Sequence, residues 1–149
     1  MLVRALSRFA FCLTLACFMA SCGVTPAAHR TPNTLHLVRS SQNPSFRYPP
    51  LDITVTNQEV AKLYAVIQSL PHDPPGDVAC PADLGLRYHL TLLYDSTIVL
   101  DSQVQAQGCA GIALSGDWRR LTDSFWSQLA ITSGIPVSDL LPAKVPAHT

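Results

Sequence analysis

Charge is scarce in this chain. Only 13% of its 149 residues are charged, and ten Lys or Arg balance ten Asp or Glu. With no basic excess there is no electrostatic footprint for nucleic acid, and none is expected as a partner. Catalytic signatures are missing too. No P-loop, dinucleotide fingerprint, zinc-finger spacing or pair of carboxylates is present, so no cofactor, metal or catalytic set is expected and the chain reads as non-enzymatic. Nor is any apolar run long enough to cross a bilayer. The longest, FAFCLTLACFMA at residues 9–20, would reach roughly 18 Å as a helix against about 30 Å of hydrocarbon.

What that run does suit is a leader. Arg4 and Arg8 precede it, small residues follow it, and the next charge is Arg30. A basic start, a short apolar segment and small residues make a secretory signal peptide over residues 1–21. The stretch Met19-Ala20-Ser21-Cys22-Gly23 resembles the lipobox of bacterial lipoproteins, in which the cysteine is lipidated and becomes the new N-terminus. Ala20, Ser21, Cys22 and Gly23 match it, and Met19 stands where Leu is usual. Ordinary cleavage and secretion is the alternative. Each buried CH₂ of an acyl chain contributes about 0.8 kcal/mol, so two or more chains on Cys22 would hold the protein stably at a membrane.

Five cysteines are present. Removing residues 1–21 discards Cys12 and Cys17, and lipid occupies Cys22. Cys80 and Cys109 remain, an even pair in an oxidising compartment, and a disulfide is the simplest account of them. Closing that loop would contribute roughly 3.5 kcal/mol by loop entropy. Two rival readings use the same residues. One makes a cysteine a nucleophile beside His72 or His89; the other builds a metal site from Cys80, His72, Asp73 and Asp77. Neither has a local signature, and the prolines explain the loop without a metal.

Nine of the twelve prolines cluster at 26–50 and 71–81, which marks irregular chain. Residues 22–50 therefore read as a lipidated N-terminus and tether, with an edge strand over residues 35–39 (LHLVR). Arg30, Arg39 and Arg47 could touch anionic headgroups, although a solvated linker is the simpler expectation. A folded domain is expected over 51–134. LDITVTN alternates as a half-buried strand. Thr56 and Glu59 stand at capping-box spacing before a helix bearing Val60, Leu63, Tyr64, Ile67 and Leu70, which Pro71 stops. LRYHLTLLY directs Tyr88, Leu90, Leu92 and Tyr94 inward and Arg87, His89 and Thr91 outward. TIVLDSQVQAQ is its hairpin partner, GIALSG a third short strand, and Ser115-Gly116-Asp117 a turn. A last helix is capped by Thr122 and ended by Gly134, with Trp118, Phe125 and Trp126 read as core. Residues 135–149 read as a flexible tail. The expected fold is α+β, a small two-layer domain in the order β-α-β-β-β-α, with an antiparallel sheet and two helices on one face.

The pattern Cys80-Pro81-x-Asp83-x-Gly85, then Gly108-Cys109, then Trp118 before the last helix resembles a class of small actinobacterial-type lipoproteins over about 85 residues. The resemblance implies lipidation and a disulfide, and no chemistry. The candidate interaction loop is Pro71, His72, Asp73, Pro74, Pro75, Asp77 and Asp83, although Asp83 with Gly85 also reads as a simple turn. The expected role is an extracytoplasmic binding module on the outer face of the cell membrane, its partner a protein or wall component. The alternatives are a small-ligand carrier or enzyme with a cleft near residues 71–85, and a protease-inhibitor-like domain presenting that loop.

Overall fold

The computed structural model describes residues 30–72, 79–142 and 145–146. The leader, Cys12, Cys17 and Cys22 lie outside them. In chain order the elements are β1 (Thr34–Ser41), β2 (Phe46–Arg47), β3 (Leu51–Thr56), α1 (Glu59–Gln68), β4 (Leu86–Tyr94), β5 (Thr97–Gln105), β6 (Gly111–Leu114), β7 (Asp117–Arg120), α2 (Asp123–Ser133), α3 (Val137–Leu140) and β8 (Val145–Pro146). Six strands form one antiparallel sheet in the order β3-β1-β4-β5-β6-β7, and β2 pairs with β8 beside it. This is a small α+β domain.

Alternation on the strands explains the two layers. Leu35 and Leu37 of β1 are flanked by Val55 and Ile53 on β3 and by Leu92 and Leu90 on β4. With Tyr88, Val104 and Ile112 they make one apolar face, and residues of period two share a face. Val60, Leu63 and Ile67 of α1 and Phe125, Trp126 and Leu129 of α2 join that face in a single core. The helices also pack on each other: Gln128 Nε2 donates to Glu59 (3.2 Å) and Thr132 Oγ1 to the Glu59 carbonyl (3.3 Å). The opposite face carries Thr34, His36, Thr54, Asp52, His89, Thr91 and Asp101.

Several expectations need correction. The strand near residues 35–39 is no edge. It extends over Thr34–Ser41 and lies between β3 and β4, with Leu35 and Leu37 fully buried. The domain therefore begins well before residue 51, and the tether reading fails from Thr34 onward. Arg39 is engaged within the domain. It sits at the core-side end of β1, where Nε donates to Tyr88 Oη (2.9 Å), Nη1 to the Pro49 carbonyl (3.0 Å) and Nη2 to the Asp139 carbonyl. Residues 135–142 are not a loose tail either. Leu140 of α3 is fully buried, and its carbonyl accepts from Tyr88 Oη.

The Thr56–Glu59 capping box does not form. Thr56 still belongs to β3, and Asn57 Oδ1 accepts from Glu59 N (2.9 Å) instead. The second helix is as expected: Thr122 accepts from Phe125 N, and Gly134 ends it at φ 73°. The GIALSG strand has an unforeseen partner, β7. Ser115 (φ 50°) and Gly116 (φ 90°) form the two-residue turn between them, and two positive φ angles match the twist of a tight hairpin. Tyr94 is not inward. The ladder shifts register after Leu92, and Tyr94 is 37% exposed.

Candidate functional site

The expected interaction loop is only partly described. Asp73, Pro74, Pro75 and Asp77 lie outside the described residues. Pro71 and His72 leave α1 and run along β7: the Pro71 carbonyl accepts from Arg120 N (3.0 Å), and His72 bridges to Arg119. Arg119 was not foreseen as part of this region. Its Nη1 donates to the Leu70 carbonyl (2.9 Å), so a cation stands at the C-terminal end of α1, where the helix dipole favours it.

Asp83 is a structural residue. Its carboxylate accepts from Gly85 N (2.9 Å), from both terminal nitrogens of Arg87, and from Gln105 Nε2 (3.3 Å). The hydrogen bonds from Arg87 hold its pKa below the usual carboxylate range. Arg87 points to the polar side of the sheet, yet is only 8% exposed because this loop folds over it. Gly85 (φ +85°) is required twice over. A side chain there would be strained, and its Cβ would stand 2.5 Å from Asn43 N. The turn reading of Asp83 and Gly85 thus holds, with the Asp83 carboxylate engaged by Gly85, Arg87 and Gln105.

Cys80 and Cys109 lie at disulfide distance, with Cα atoms 5.0 Å apart. They join the loop before β4 to the connection between β5 and β6, where Gly108 lets the Asp83 side chain approach. A cavity of about 240 Å³ opens beside them, lined by Ala79, Cys80, Pro81, Cys109, Arg120 and Leu121 among others. Ala79, Cys80 and Pro81 bring part of the expected 71–85 cleft to that lining, whereas His72 and Asp83 are not in it.

The aromatic group divides. Phe125 and Trp126 meet edge to face at 5.1 Å in the core. Trp118 lies on the opposite sheet face, across the place a side chain at Gly111 would fill. His89 faces outward as expected and pairs with Asp101 at 2.6 Å, while His36 pairs with Asp52 at 2.9 Å. Among the described residues no group of three or more His, Cys, Asp or Glu is placed to hold a metal, and no helix is long and apolar enough to cross a membrane.

No family profile, no curated protein and no solved structure matches this chain.

Proposed function

We propose that the chain is an extracytoplasmic lipoprotein, held to the outer face of the cell membrane by lipid on Cys22, whose folded domain is a non-enzymatic binding module for a protein or wall component near that membrane. One observation carries the reading: Cys80 and Cys109 stand at disulfide distance. They are the two cysteines left once a signal peptide is removed and Cys22 is lipidated. Such a pair persists in an oxidising compartment and is rare in a reducing one. The leader pattern, the lipobox resemblance and the resemblance to small actinobacterial-type lipoproteins support the same placement. In this reading the loop anchored by Cys80, together with Pro71 and His72, is the presented surface.

A small-ligand carrier is the second reading, and the cavity beside Cys80 and Cys109 favours it. At about 240 Å³ it falls below the roughly 300–1,000 Å³ usual for ligand pockets, so it ranks second.

Metabolic labelling with a fatty-acid analogue tests the anchor. Label is expected on the protein and is expected to vanish with Cys22→Ala. An unlabelled protein, or label that survives the substitution, sinks the reading. Intact mass without reductant tests the compartment. The expected mass lacks the two thiol hydrogens of Cys80 and Cys109.

A further inference from the structure

The two edges of the sheet are treated differently. At the β7 edge, the Pro71 carbonyl takes the Arg120 N–H and His72 bridges to Arg119, so the segment leaving α1 lies along that strand. At the β3 edge nothing among the described residues does so. Asn57 N donates to the Asn33 carbonyl in continuation of the β1–β3 ladder, and Gln42 N to the Gly85 carbonyl in continuation of β1–β4. Backbone groups alternate sides along an antiparallel strand. Leu51, Ile53 and Val55 therefore spend theirs on β1, while Asp52, Thr54 and Thr56 aim N–H and C=O outward.

Most of the usual protections of an edge are missing, and the single charge on the strand, Asp52, is held by His36 of the neighbouring strand. β3 holds no Lys, no Pro and no register shift. The side chains that could fold over it are engaged inward, Asp52 with His36 (2.9 Å) and Thr56 with Thr34 (2.9 Å). Its core-facing row, Leu51, Ile53 and Val55, is only half-buried. The described chain arrives from elsewhere: Arg30 lies against Thr97 and Tyr94 at the β4–β5 turn.

We infer that β3 pairs with β3 of a second copy of this chain, antiparallel, about a two-fold axis through Thr54. In that register all three outward positions exchange their backbone bonds, Thr54 with Thr54 and Asp52 with Thr56 of the second copy. Ile53 then faces Val55 of the second copy, which completes the half-buried apolar row. No like charges meet, because Asp52 faces a threonine. Shifting the register by two residues in one direction sets Pro50 against an outward N–H, and in the other it loses a bonded pair. The contact is isologous and closes on itself. Six residues make a short interface, so the dimer is weak and concentration-dependent.

The test uses the full-length protein. Sedimentation over a wide concentration range is expected to show a monomer–dimer equilibrium. Thr54→Pro removes an outward N–H without touching a β1 bond, and is expected to abolish the dimer while circular dichroism is unchanged; Thr54→Lys is a second variant with the same expectation. Thr54→Cys with a short thiol-reactive crosslinker is expected to give several-fold more covalent dimer than Thr56→Cys, over the level of the unsubstituted protein, because only residue 54 meets itself on the axis. A monomer at every concentration, a dimer unmoved by folded Thr54→Pro or Thr54→Lys, or equal crosslinking at 54 and 56 overturns the inference. So does a monomer that adds an extended peptide of another chain at this edge.

Discussion

Asp83 gathers more hydrogen bonds than any other acid described, and all of them bind the loop to itself and to the sheet. Its main partner, Arg87, is the more buried of the two, with 10% of its side chain exposed against 36% for Asp83. Removing the carboxylate charge strands a mostly buried guanidinium, and the wetted carboxylate limits the loss. Asp83→Asn is therefore expected to destabilise by about 1–2 kcal/mol near neutral pH, read from the urea midpoint. The pH dependence has a definite sign. Hydrogen bonds from Arg87 lower the folded pKa of Asp83, so its contribution is complete above the unfolded carboxylate value of about 3.9 and is lost as pH falls through the folded one. The midpoints of the parent and Asp83→Asn are expected to converge in acid. A gap that stays constant with pH would show that the charge is not the cause.

Among the elements, periodicity carried the fold where burial was one-sided, and failed where a contact far along the chain decided the outcome. The first helix was legible because Val60, Leu63 and Ile67 recur on one face, and α2 because Thr122 and Gly134 mark its ends. β1 was legible as a strand but not as an interior one. Its neighbours β3 and β4 are set by pairing, and the surrounding prolines and absent acids resembled a linker. β7 was hidden because two of its four residues are arginines and its turn consumes the glycine. The candidate site was less legible still. Asp83 could be read as a turn residue from Gly85 two positions on, but nothing near Arg39 announces that it joins β1 to Pro49 and Asp139. α3 was missed for the same reason, since four residues have too little periodicity to declare a face. Its role is testable by contrast. Leu140, fully buried, should cost about 2–4 kcal/mol on truncation to alanine. Val137, one turn earlier and 37% exposed, should cost under about 1 kcal/mol by the area it removes from water. Equal melting temperatures for Leu140→Ala and the parent would restore the loose tail.

At the scale of the whole molecule, the helix layer and the Cys80–Cys109 connection do different work. The helices pack on each other and on one core with the sheet, whereas beyond β5 the sheet consists of a hairpin of two four-residue strands. β6 and β7 are short, and β5 joins β6 through two ladder pairs, Val104–Ile112 and Gln105–Gly111, and the Ser102 hydroxyl donating to the Ala113 carbonyl (2.7 Å). A cross-link from residue 80 to residue 109 closes a loop with a sequence separation of 29 and fastens this thin end to the start of β4. Most of its effect lies in the unfolded chain, which loses freedom when the ends are joined, and loop entropy sets the contribution at roughly 3.5 kcal/mol. A Cys80→Ala, Cys109→Ala double variant is therefore expected to lower stability by about 2–4 kcal/mol, with the denaturant slope raised because its unfolded state exposes more surface. The native signature should survive, since Asp83, Arg87 and Gln105 still hold the loop on the sheet. Reductant is expected to bring the parent to the stability of the double variant and to leave the variant unmoved. A parent indifferent to reductant would mean that the two thiols stand close without being joined, and the extracytoplasmic placement would lose the observation that supports it most.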